Sequence, residues 1–178
     1  MLFRSSIPVT DTSTDAIIAR GIKEAREWAE QFTQSSFITQ TWEAVGDEFS
    51  CSMVLEHGPV LSVGSVKYID VSGSLQEIST DDYVLDNYGL NPQIVLGYGK
   101  VWPVPRDQAN AVVITYDAGF GPASADVPGP IREAIMLVVG HWMRYQAQVE
   151  SGVSITRIPF AVEHLLAPYR LAKIGRAH

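Results

Sequence analysis

The residues able to do chemistry are few and badly placed for it. The strongest nucleophile is the lone cysteine, Cys51, and a thiol–imidazole pair would have to draw on His57 or His141 as its base. His141 sits within an apolar run beside Trp142, where a helix residue with a satisfied hydrogen bond is the plainer reading. His57 precedes Gly58-Pro59 and reads as a loop residue. None of the four histidines, His57, His141, His164 and His178, stands in a metal-ligand spacing such as HxxxH or HExxH. One cysteine excludes an internal disulfide and a multi-cysteine zinc site. Asp81, Asp82 and Asp86 could be taken for a carboxylate site, yet a calcium or magnesium loop needs more oxygen ligands at regular spacing, and loops favour Asp for local hydrogen bonds. Gly97-Tyr98-Gly99 lacks the third glycine of a dinucleotide fingerprint, and Gly119-Phe120-Gly121 lacks the Lys-Ser/Thr of a P-loop. The chemistry-bearing residues therefore lead us to expect no catalytic centre, no metal and no cofactor.

The elements that would position these residues follow from periodicity. Residues 1–12 read as an irregular arm. Apolar residues at Ile17, Ile18, Ile22, Ala25, Trp28, Ala29 and Phe32 have helical spacing and predict a helix over 13–33. Residues 37–118 hold six or seven short strand patterns, the clearest being Val112, Ile114 and Tyr116 alternating with Val113 and Thr115. Pro128 and Pro130 open a second helix over 128–148, apolar on more than one side. A third, short helix is expected over 159–171, ended or bent at Pro168, with a tail over 172–178. The expected fold is α+β in a single domain: two long helices and a short C-terminal helix packed with one inserted antiparallel β region, a small sheet or barrel. Trp102, flanked by Pro103 and Pro105, is expected on the surface as an interface aromatic.

Charge divides the chain. The net charge is −7, which argues against a general nucleic-acid binder. Residues 43–126 carry 12 acids against three bases, Lys67, Lys100 and Arg106, while the end of the chain carries Arg170, Lys173 and Arg176 and no acid after Glu163. An acidic body with a basic tail suggests a tail that docks on something acidic. No apolar run approaches the ~18 residues of a membrane span, and the first ten residues do not read as a secretory signal, so a soluble protein with no membrane partner is expected.

Six stretches, in order, carry a resemblance: residues 25–42 (AREWAEQFTQSSFITQTW), 59–70 (PVLSVGSVKYID), 81–85 (DDYVL), 98–121 (YGKVWPVPRDQANAVVITYDAGFG), 127–142 (VPGPIREAIMLVVGHW) and 158–170 (IPFAVEHLLAPYR). Their combination resembles the head–tail connector (adaptor, head-completion) proteins of long-tailed bacteriophages and prophages. The resemblance implies a structural, non-enzymatic subunit of the virion neck, assembled in the host cytoplasm. It implies a homo-oligomeric ring, commonly twelvefold, bound under the portal protein, with a stopper or tail-completion protein on its other side. Double-stranded DNA would pass through the ring without sequence-specific binding. The segment that reaches the portal would be Leu166, Tyr169, Arg170, Leu171, Lys173, Ile174 and Arg176, and the acids Asp81, Asp82 and Asp86 would face the channel. The position where such relatives close the first helix with glycine holds Gln34 here.

Two other classes stay open on the sequence: a stopper or tail-terminator protein, and a non-catalytic β-rich binding module. A tight hexamer of the free chain would favour the tail side. An enzyme would need an unusually acidic Cys51 thiol.

Overall fold

The computed structural model describes residues 12–89, 91–149 and 160–171, with side chains at 15–89, 91–144 and 160–171. The expected arm and the tail, with Lys173, Ile174 and Arg176, lie outside the described residues, apart from Thr12, where the first helix begins. The chain divides into two compact units, each built from two separate stretches: Met1–Ala29 with Pro130–Leu166, and Glu30–Gly129 with Ala167–His178.

The first unit is helical. Helix α1 (Thr12–Thr33), whose last turn belongs to the second unit, begins with Asp15 in its first turn, where a carboxylate meets the positive end of the helix dipole. Its exposed face carries the i,i+4 pairs Arg20–Glu24 at 2.7 Å and Lys23–Glu27 at 4.0 Å. Such pairs contribute only a few tenths of a kcal/mol each. Ala25 and Ala29 face inward. Helix α2 (Gly129–Val149) has Pro130 in its first turn, where a missing N–H needs no partner, and buries Ile131, Ala134, Val138 and Val139 at helical spacing. α1 and α2 approach closely at Gly21, whose added Cβ would lie 3.6 Å from Val139 Cγ1. Helix α3 (Phe160–Leu166) buries Val162 and Leu166, one turn apart. It is shorter than expected: a 3-10 turn over Ala167–Tyr169 ends it, because Pro168 cannot donate to the helical ladder.

The second unit overturns the expectation of two long helices around one small β insert. Among the described residues the chain has three α-helices and two sheets, with seven strands in all. One sheet has four strands in the order β1 (Gln40–Gly46), β7 (Val112–Ala118), β3 (Val60–Ile69), β4 (Leu75–Glu77). The other has three, in the order β2 (Ser52–Val54), β6 (Gln93–Leu96), β5 (Tyr83–Asp86). All pairings are antiparallel. The physical reason is pairing, which alternation does not encode. The segments over 52–54, 83–86 and 93–96 pair with one another and never join β3 or β7. The 60–69 segment stays one strand and absorbs its irregularity in register shifts between Val60 and Ser62 and between Val63 and Ser65.

β7 is the axis of the larger sheet. Its Val112, Ile114, Tyr116 and Ala118 are buried, opposite Gly46, Ala44, Trp42 and Gln40 of β1. These side chains meet Tyr83 and Ile94 of the smaller sheet, with Leu55, Val60, Val66 and Ile78, in one core. Burial of the Tyr116 ring raises its hydroxyl above the usual tyrosine range. The outward positions are Val113, Thr115 and Asp117, and Asp117 accepts hydrogen bonds from Thr41 Oγ1 at 2.7 Å and Ser62 Oγ at 3.1 Å.

The β3–β4 turn is organised by one carboxylate. Asp70 Oδ1 accepts from Ser72 N, Ser72 Oγ and Ser74 N at 2.9, 2.5 and 3.0 Å, and Oδ2 accepts from Gln76 Nε2 at 2.9 Å. Gly73, at φ 87°, takes the left-handed position of the turn. These bonds, led by that from the Ser72 hydroxyl, hold the Asp70 carboxyl down to about 2. A depressed carboxylate contributes stability above its unfolded value of about 3.9 and loses it as pH falls. Asp70→Asn should therefore lower the urea midpoint at pH 6, and the gap to the parent chain should close between about pH 4 and the folded value of about 2. A gap that persists unchanged through that window would remove the carboxylate's role.

Candidate functional site

The segment after α1 is held from three sides by backbone. α1 ends with Gln34 at φ 57°, so the residue at the glycine position of the resemblance does take the left-handed conformation, and its side chain Nε2 donates to Gln31 O at 2.6 Å. Ser36 N–H then donates to Gly58 O at 2.9 Å, Thr39 N–H to Gly121 O at 3.0 Å, and Phe120 N–H to Phe37 O at 3.1 Å. Phe37 N–H donates to Glu30 Oε1 at 2.8 Å, and Trp42 Nε1–H to Ser36 Oγ at 2.9 Å. Thr33, Ser35 and Ser36 are buried, so these bonds meet polar groups that water does not reach.

The C-terminal stretch docks on this clasp. Leu171 N–H donates to Thr33 O at 2.9 Å, and Ser35 Oγ donates to Tyr169 O at 3.0 Å. The Tyr169 ring meets Phe120 edge-on at 6.1 Å, and the Arg170 guanidinium lies 5.4 Å from the centre of the Phe32 ring. The Leu171 side chain packs at Gly58, where an added Cβ would lie 3.3 Å from Leu171 Cδ1. Of the residues assigned to a partner on sequence grounds, Leu166 is thus buried, Tyr169 and Leu171 are half-buried against their own chain, and Arg170 is exposed. The clasp itself was missed by sequence reasoning; Gly119-Phe120-Gly121 read only as a turn.

The acids are spread along one strand. Asp81 and Asp82 lie in a 3-10 turn (Thr80–Asp82) before β5, and Asp86 ends that strand, about 13 Å beyond Asp82 at ~3.3 Å per residue. Asp82 pairs with Lys100 Nζ at 2.6 Å, Asp81 is exposed, and Asp86 accepts from Gln93 Nε2 and Tyr88 N–H, bonds that lower its pKa in that order. Trp102 is half-buried. Its indole stacks on Phe49 at 4.8 Å and packs against the sheet core. Among the described residues, Tyr88 and Tyr98 are the fully exposed aromatics.

Cys51 is exposed, and the His57 ring stacks on Trp42 at 3.7 Å. Among the described residues no three His, Cys, Asp or Glu side chains are placed to hold a metal ion, and no helix is long and apolar enough to cross a membrane.

Two surface features remain. On α2, Met136, Leu137 and Met143 are exposed around the exposed Gly140. In the β unit a groove of about 380 Å³ is lined by β1 (Ala44, Val45, Gly46) and β2 (Ser52, Met53, Val54), with Glu48 and Ser50 from the connecting loop and Val112 and Ile114 of β7.

No family model matches the sequence, and no curated protein does. Solved structures do match in fold. A chain of the virion of a native gene transfer agent particle superposes with a TM-score of 0.73 at 18% identity, over 92% of this chain and 81% of that one. A chain of the neck of the empty gene transfer agent particle, computed with C6 symmetry, gives 0.74 at 19% identity, over 92% and 82%. A chain of the neck of the native particle, computed with C12 symmetry, gives 0.74 at 18% identity, over 91% and 86%. At these identities the likeness establishes a shared fold.

Proposed function

We propose that this chain is a structural subunit of the neck of a phage-like particle. It works as an adaptor in a homo-oligomeric ring bound to the portal, extends the DNA channel, offers a platform to a stopper or tail-completion protein, and catalyses nothing. The observation that carries this reading is the fold shared with neck chains of gene transfer agent particles across more than nine tenths of this chain. The symmetries of those necks, C6 and C12, suit a ring. A closed ring of one subunit type needs two different complementary surfaces on each copy. The exposed Met136, Leu137 and Met143 of α2 are apolar surface of the kind such contacts cover. The acids of the β unit, Asp81, Asp82 and Asp86 among them, fit a channel wall, because phosphates bind basic surfaces and a negative lining lets DNA slide.

The test is native mass, for the purified chain alone and mixed with its portal ring. The expected result is a ring-sized species, or a portal ring that gains one copy of this chain per portal subunit. A monomer that ignores the portal overturns the reading, and a tight hexamer of the free chain that also ignores it moves the chain to the tail side.

A further inference from the structure

Helix α2 is apolar on two sides. One side buries Ile131, Ala134, Val138 and Val139. The other is open: Met136 is 60% exposed, and Leu137 and Met143 are each 39% exposed. Along it runs a stripe of exposed positions, Glu133, Leu137, Gly140 and Arg144, spaced four, three and four residues apart. That spacing keeps them on one line along the helix, as in the seam of a coiled coil. Met136 and Met143 flank the line on one side, seven residues apart. Gly140 gives the stripe a position without a side chain, and no described atom lies within 4 Å of an added Cβ. The glycine leaves a shallow seat that a second backbone or side chain can approach closely.

The stripe complements itself, and its charges choose the direction. A second copy laid antiparallel sets Glu133 against the partner's Arg144 at each end, and Leu137 into the seat at the partner's Gly140 on each side of the two-fold axis. A parallel copy would set Glu133 against the partner's Glu133 and Arg144 against the partner's Arg144, and like charges repel. We propose that α2 carries a two-fold docking face for a second copy of this chain. The antiparallel helices close on Leu137 and Gly140, and two Glu133–Arg144 ion pairs hold the register. Met136 and Met143 cover the flank, and methionine is enriched where proteins meet. One helix face on another buries less than the ~1,200 Å² at which stable interfaces begin, so the pairing is transient, with a dissociation constant on the order of 100 μM. A two-fold contact uses the same patch twice, whereas a closed ring of one subunit type needs two different ones. The pair is therefore a state of the free chain, and it stands or falls independently of the neck reading.

Sedimentation equilibrium of the full chain at low salt reads the pairing. Between about 10 and 1,000 μM the average mass should rise from one chain to two and stop there. Glu133→Arg and Arg144→Glu should each weaken self-pairing about tenfold or more, because each turns both ion pairs into like-charge contacts. The equimolar mixture of the two variants restores both ion pairs between unlike chains, so the two-chain mass should return at the parent's concentration. A misfolded variant could not give that result. Gly140→Gln fills the seat of Leu137 with a better helix former, so it should weaken pairing as strongly without lowering the thermal midpoint. A parent that keeps the mass of one chain throughout overturns the proposal, as do single variants that pair like the parent and a mixture that stays unpaired. A ring-sized species of the free chain also overturns it, while upholding the neck reading.

Discussion

Gly119→Ala is expected to destabilise the β unit strongly. Gly119 sits at φ 146°, in a region that L side chains avoid, and the new Cβ would lie 2.6 Å from both Thr39 N and Thr39 Cα. Backbone strain of this kind costs roughly 1–3 kcal/mol by itself. The clash adds to it, because the obstacle is backbone fixed by the bond from Thr39 N–H to Gly121 O and cannot rotate away. The measurement is the urea midpoint followed by tryptophan fluorescence, since Trp42 and Trp102 both report on the β unit. Gly140→Ala is the control. It lies mid-helix in α2 with nothing within 4 Å of an added Cβ, and replacing a helical glycine by alanine stabilises by up to ~1 kcal/mol. The two variants should move the midpoint in opposite directions; a Gly119→Ala chain as stable as its parent would contradict the clasp.

Ile94→Ala is expected to cost about 2–5 kcal/mol, the range for deleting a buried aliphatic side chain. Ile94 is fully buried in β6, opposite Met53 and Leu85 in its own sheet, and belongs to the core that includes Val112, Ile114 and Tyr116 of the other. Trp102, stacked on Phe49, and Trp42, on β1, should lose their folded signal together at the lowered midpoint. If the Trp42 signal kept its parental midpoint while the β5–β6 hairpin melted earlier, the two sheets would not share one core.

The sequence shows the parts of this fold that repeat and hides the parts that pair. β7 was legible because Val112, Ile114, Tyr116 and Ala118 alternate strictly with half-exposed neighbours. The helices were legible for the same reason at a different period. The two-sheet arrangement was not, because strands as short as β2, β4 and β5 carry three or four residues and no information about partner or register. The stack of Trp102 on Phe49 was not legible either, because Phe49 lies more than fifty residues earlier in the chain. The clasp around residues 34–39 was hidden most completely. Its bonds run from the backbones of Ser36, Thr39, Phe120 and Leu171, and a backbone bond leaves no mark on residue type. Gly119 is the trace it leaves, since a close approach to Thr39 excludes a Cβ.

The two compact units are interleaved along the chain, the first ending at Leu166 and the second taking its last strip from residue 167 onward. A ribosome makes this chain from one end only, at about 5–20 residues per second. Through most of synthesis neither unit has all of its pieces: α3, with Val162 and Leu166, emerges after the whole β region, and the Leu171 bond to Thr33 forms later still. A product released early, or clipped before α3, therefore lacks part of both units at once. The finishing of the two units is thus coupled: neither is whole until the stretch around Leu166 and Ala167 has been made.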